Sequence, residues 1–178
     1  MSKSNNFVFK SLHIIAWIIF VGLCIEAGGL IVNFVFSLFK PDVVGNLYQK
    51  LDLSSMYQQS KWVYFSMYSF AIYISVLKAV LFYIVIELIQ KLDITKPFSS
   101  YAAKKITQIS YYTFSIGISS LIARQAAKNL SQHGYTIDKL GQFWVDSQAY
   151  ILMAAVIYVI ATIFQRGVEM QSENDLTI

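Results

Sequence analysis

Two apolar stretches, Leu12–Leu38 and Trp62–Ile89, each carry one charge near the middle, Glu26 in the first and Lys78 in the second. Both exceed the roughly 20 residues that take a helix across a bilayer, so these charges fall at membrane depth. An ionisable side chain there costs about 2.5 to 3.5 kcal/mol on insertion scales and is normally turned inward toward a partner. Few folds satisfy that demand. The chain reads as an all-α polytopic membrane protein with a polar feature in its interior.

Composition narrows the function. With 56% hydrophobic and 13% charged residues in 178, the chain fits one membrane domain spanning residues 1–178, surrounded by membrane lipid. The net charge of +4 is scattered among loops, which argues against direct nucleic-acid binding. A single cysteine, Cys24, excludes an intrachain disulfide or thiolate cluster. His13 and His133 lie far apart, giving a metal site little support. No zinc-hydrolase helix, nucleophile elbow, phosphate-cradling glycine loop or clustered acid pair appears, so no catalytic residue and no cofactor is expected. Lys3 and Lys10 before an apolar run imitate a signal peptide. The run is too long and lacks a small-residue cleavage site, so it reads as a retained transmembrane helix.

The pattern predicts a four-transmembrane-helix bundle with spans at 12–38, 62–89, 106–123 and 144–164. Lys40-Pro41 stops the first helix. Trp62 opens the second at an interface, and Glu87 and Lys91, four residues apart, are expected to pair on its last turns. The third is polar for a span, and Ser115-xxx-Ser119 around Gly117 suits close helix packing. Cys24-xxx-Gly28, followed by Gly29, is read the same way on the first helix. The fourth extends back to an interfacial pair, Phe143-Trp144. Between spans one and two, Val43, Val44, Leu47, Tyr48, Leu51 and Leu53 are spaced for a short amphipathic helix lying on the membrane. Helix three is expected to continue through Leu130 and turn at residues 131–134.

Four spans put both termini and the middle loop on one side. That side holds Lys3, Lys10, Lys91, Lys96, Lys104, Lys105 and Arg166; the other holds Lys40, Lys50, Lys61, Arg124, Lys128 and Lys139. Seven cations against six barely separate the sides, and the membrane-flanking cluster in the middle loop tips the reading toward cytoplasmic termini.

Two ion pairs are expected. Glu26 lies about 21 Å along its helix from Leu12 and Lys78 about 16 Å from Ile89, so an antiparallel arrangement brings them within reach of a lysine stem. An intramembrane ion pair fixing the register of two helices is the bland reading; a proton- or ligand-responsive pair in a polar cavity is the sharper one. Arg124 and Asp146 sit at facing helix ends, as an interfacial clamp or simply as two solvated charges.

Two short segments stand apart from generic membrane sequence. One is Leu92-Asp-Ile-Thr-Lys-Pro-Phe-Ser-Ser-Tyr; the other is the tail Arg166-Gly-Val-Glu-Met-Gln-Ser-Glu-Asn-Asp-Leu-Thr-Ile178. With four spans at this length they resemble, over the whole chain, a bacterial four-helix membrane family catalogued as domain of unknown function twenty-nine seventy-five. Its members carry a Pro-Phe segment before the third helix and close on a Gly-x-Glu-Leu-Gln-x-Glu-Asn-Asp-Leu-Thr-Val tail; here Met170 and Ile178 replace the leucine and the valine. The resemblance implies the bacterial cytoplasmic (inner) membrane and a cytosolic helix-turn-helix regulator as partner. Pro97 would then sit in the first turn of helix three, capped by Thr95, and Phe98 would share a face with Ala102 and Ile106. Glu173, Asn174 and Asp175, with the apolar anchors Leu176 and Ile178, would form an acidic strand that docks on the partner by adding to a sheet edge or filling a groove; the bland reading is a frayed, solvated terminus. Two functions lead, a non-enzymatic regulatory or interaction protein and, second, a small transporter using Glu26 and Lys78; a membrane enzyme trails both. A homo-oligomer is compatible with either.

Overall fold

The computed structural model describes residues 3–93, 97–135 and 137–175. Among them the chain is helical: α1 Lys3–Phe39, a short α2 Ser54–Gln59, α3 Lys61–Lys91, α4 Ser100–Gln132 and α5 Ser147–Asp175, with 3-10 turns at Pro41–Gly45, Tyr48–Lys50 and Asp138–Phe143. Local chemistry sets the boundaries. Lys40 is extended and Pro41 opens the next turn, so α1 ends at Phe39. Ser60 and Ser99 cap α3 and α4, their hydroxyls accepting from the amides of Val63 and Ala102 at 3.4 and 3.1 Å. At the far end of α4, Gly134 adopts φ +85°, with Tyr135 N–H bonding the Leu130 carbonyl and Gly134 N–H that of Ser131, a Schellman ending.

Three helices are long and apolar enough to cross a membrane: Phe7–Phe39, Lys61–Lys91 and the segment Leu140–Glu173. The remaining predicted span, the third at 106–123, lies inside α4. That helix is 33 residues long, but Thr107, Gln108, Ser110, Thr113, Ser115, Ser119 and Ser120 make it too polar to qualify by composition. Its polarity has a place to go. Ser110, Thr113 and Ser120 are buried, and Ser110 Oγ donates to the Ala154 carbonyl of α5 at 2.9 Å. The close approach between α4 and α5 is made at Gly117, where a Cβ would lie 2.9 Å from Ile151 Cγ1. The expected Ser115-xxx-Ser119 contact is not the seam: Ser115 faces outward and bonds back to the Tyr111 carbonyl.

The long helices pack in chain order, α1 on α3, α3 on α4, and α4 most extensively on α5, each pair antiparallel; α1 and α5 share no packed seam among the described residues. The α1–α3 register is readable from facing pairs: His13 with Gln90, Phe20 with Tyr83, Glu26 with Lys78, Phe34 with Phe65. On α1 only a narrow stripe is buried, with Ala16, Ala27, Leu30 and Ser37 at its centre, because one helix and one loop cover it. Gly28 has nothing within 4 Å of an added Cβ, and Cys24 is exposed, so the Cys24-xxx-Gly28 spacing packs no helix. Gly29 instead receives the ring of Tyr48 from the following loop.

That loop corrects the amphipathic-helix expectation. Val44, Leu47, Leu51, Leu53 and Met56 fold inward and join Tyr64, Met67, Tyr68, Ile137, Leu140 and Phe143 in one core. Phe143 is therefore buried rather than an interfacial anchor. The largest apolar core thus caps the ends of the helices opposite the termini.

Candidate functional site

The Glu26–Lys78 site is built by α1 and α3, two of the three helices long and apolar enough to cross a membrane. Lys78 Nζ lies 2.7 Å from Glu26 Oε1, and the same oxygen accepts from Ser75 Oγ at 2.8 Å. Ser75 and Lys78, three residues apart on α3, share one helix face, so both donors converge on one carboxylate. Ser75 is wholly buried, while the Lys78 and Glu26 side chains keep 14% and 22% of their surface. Small residues make the approach short: Ala27 beside Glu26, and Ala71, Ser75 and Ala79 at four-residue spacing on α3. The sequence reading missed Ser75, although its spacing from Lys78 was the signal that would have found it. A carboxylate, an ammonium and a hydroxyl so joined hold two helices in one register and neutralise each other at low dielectric.

A second polar cluster lies where α3 and α4 meet the face bearing the termini. Glu87 pairs with Lys105 of α4 at 2.5 Å rather than with Lys91 of its own helix. Lys91 and Lys105 both lie over the Tyr101 ring, 5.3 and 5.8 Å from its centroid, and the Tyr101 hydroxyl donates to the Glu87 carbonyl at 3.4 Å. The expected Glu87–Lys91 pair loses because a partner across the helix seam offers a shorter contact and an aromatic face draws Lys91 away.

Arg124 and Asp146 come near each other without pairing. Arg124 donates to the Val145 carbonyl at 3.2 Å, and Asp146 Oδ1 caps α5 by accepting from the amides of Gln148 and Ala149 at 3.1 and 3.3 Å. Asp146 serves the helix N-terminus, where a carboxylate satisfies otherwise open donors.

The two segments that set the sequence apart touch each other. Phe98 precedes α4 and lays its ring on Phe164 of α5, with centroids 5.3 Å apart. The same ring covers Gly167, where any Cβ would collide with it. Pro97 lies before the helix, not in its first turn, and Ser99 is the cap; Thr95, proposed for that role, lies outside the described residues. The tail is no strand as far as it is described: α5 continues unbroken to Asp175, with Arg166 and Glu169 paired at 2.9 Å. Glu173 is exposed on that helix. The side chains of Asn174 and Asp175, and all of Leu176 and Ile178, lie outside the described residues.

Among the described residues no group of three or more His, Cys, Asp or Glu is placed to hold a metal ion. No curated protein and no solved structure matches the chain. One family does, under the description "Protein of unknown function (DUF2975)", over residues 46–178. The match begins after α1 and so is narrower than the whole-chain resemblance of the sequence: Ser75, Lys78, Phe98 and Gly167 fall inside it and Glu26 outside. Covering most of the chain, and both segments that first set it apart, the match makes the protein a member of this family.

Proposed function

We propose that the protein is a non-enzymatic integral membrane protein of the bacterial cytoplasmic (inner) membrane, a four-span helical bundle that holds a cytosolic regulatory partner. In this reading α4 crosses with the other three long helices, with Ser110, Thr113 and Ser120 buried and Ser115 bonded back to its own helix. The observation that carries the proposal is the course of α5. Its apolar run ends at Phe164, yet the helix goes on from Gln165 to Asp175, about 16 Å further. Phe98 pins the base of this extension at Gly167. Its surface offers Met170, exposed at 61%, beside Glu169 and Glu173. A rigid acidic helix with an apolar anchor suits docking into a partner's groove, one of the two modes expected from sequence, rather than addition to a sheet edge. The family resemblance supplies the partner class, a small helix-turn-helix protein.

Capture from native membranes tests this with three proteins: the full chain, a truncation after Gln171, and Met170→Asp. The full chain should bring down a helix-turn-helix protein and the other two should not, while all three stay folded. A small transporter using Glu26 and Lys78 is the second reading, favoured by the depth of that pair. It requires folded Glu26→Gln protein to lose solute flux in proteoliposomes while partner capture survives, and that result would displace the docking proposal.

A further inference from the structure

At the end of the α4–α5 seam remote from the termini, a pocket of about 310 Å³ opens under the Asp138–Phe143 turn. Arg124, Lys128 and Ser131 line it from α4, and Ile137, Gly141 and Trp144 from the connecting segment. Residues 124, 128 and 131 are four and three apart, so guanidinium, ammonium and hydroxyl stand on one helix face. Among the described residues no carboxylate lines the pocket. Asp146, two residues from Trp144, spends its Oδ1 on the α5 cap, and the side chain of Asp138 lies outside the described residues. Among the described residues Lys128 has no protein partner, and Arg124 uses one N–H on the Val145 carbonyl. Beside them the Trp144 Nε1 donor is buried and unmatched by any acceptor. Buried donors are almost always bonded, so this one calls for an acceptor from outside the chain.

We infer that this pocket binds a phosphate-class oxyanion, presented by a phospholipid headgroup. Two cations lining one volume, with an indole N–H buried in the Trp144 wall beside them, supply charge and donors for such a group. The height agrees. Arg124 directly follows the apolar run Leu121–Ala123, and Lys128 lies one turn, about 6 Å, beyond it. That is where the headgroup layer meets the hydrocarbon core if α4 crosses the bilayer. Exposed Ile122 and Leu121 on the same helix would then face acyl chains. The pocket lies at the opposite end of the molecule from the α5 extension, so it is independent of partner docking.

The test uses the full chain with Trp17→Phe and Trp62→Phe, leaving Trp144 as the only tryptophan. Native mass spectrometry of this protein with phosphatidylglycerol or with diacylglycerol, which lacks the phosphate, reads retention. Trp144 emission reads occupancy of the pocket itself. Phosphatidylglycerol should be retained and shift the emission, and diacylglycerol should do neither. Adding Arg124→Gln and Lys128→Gln should weaken retention by on the order of tenfold per lost contact. Both side chains are exposed, so the melting point should hold, and a changed helical melt would redirect the comparison to Lys128→Gln alone. Trp144→Phe keeps the ring and removes the donor, and should also weaken retention. Inorganic phosphate that shifts Trp144 emission in lipid-free detergent, with phosphatidylglycerol silent, would overturn the lipid source. Equal retention of the two lipids, or retention unchanged in the Arg124 and Lys128 variants, would overturn the site.

Discussion

One carboxylate oxygen, Glu26 Oε1, accepts from two α3 donors, Lys78 and Ser75, and this concentrates the cost of any change on a single atom. Glu26→Gln leaves an ammonium without its counter-charge, and Lys78→Met leaves a carboxylate without one. Each single change should destabilise by about 3 kcal/mol, while the pair Glu26→Met with Lys78→Met should cost less than the sum. Thermal unfolding in detergent reads this directly, and additive effects would show that the side chains do not act on each other. Ser75→Ala removes one neutral donor and should cost about 1 kcal/mol. A different residue-scale cost sits in the capping loop, where Gln49 and Lys50 both take φ 59°. That left-handed geometry disfavours a Cβ, so Lys50→Gly should raise the melting point by an amount equivalent to about 1 kcal/mol.

Between elements, two glycines mark the places where α5 is held. At Gly117 the α4 backbone meets Ile151, and at Gly167 the Phe98 ring lies flat on the helix. Gly117→Leu should force α4 and α5 apart and cost about 1–3 kcal/mol, since a packed seam cannot absorb the added volume. Gly167→Leu should displace Phe98, and adding Phe98→Ala should recover part of the loss by clearing the space. The comparison of melting points among single and double variants checks it; no recovery would mean that the ring does not rest there. These contacts explain why a Pro-Phe segment and a glycine-led tail occur in one chain. They meet, and together they fix where the α5 extension points.

For the whole molecule, the expected topology puts Ser100 and the termini on the cytoplasmic side and Lys50 opposite. With Cys24→Ala as background, an impermeant thiol reagent applied to intact cells should label Lys50→Cys and spare Ser100→Cys. Both positions are exposed, so a failure to label is not a matter of burial. The reverse pattern would invert the molecule and remove the cytosolic docking site. Truncation after Gln171 should leave the melting point nearly unchanged, because the residues lost lie beyond the Phe98 clamp.

Much of this was legible before any coordinates, for a physical reason. Hydrocarbon imposes length and apolarity on a spanning helix residue by residue, so the three apolar helices, the stop at Lys40-Pro41 and the turn near Gly134 could be read along the chain. The depth of Glu26 and Lys78 followed from counting helical rise, and their separation of 2.7 Å accords with that count. What the sequence could not decide was which partner wins when several are within reach. Lys105 took Glu87 from Lys91, the α5 N-terminus took Asp146 from Arg124, and Tyr48 took the space at Gly29. Each choice turns on the distance across a helix seam. The capping core is the same kind of outcome: Val44, Leu47, Leu53 and Phe143 carry an apolar pattern that fits a membrane surface equally well. Only the three-dimensional proximity of the two loops buries it against the helix ends instead.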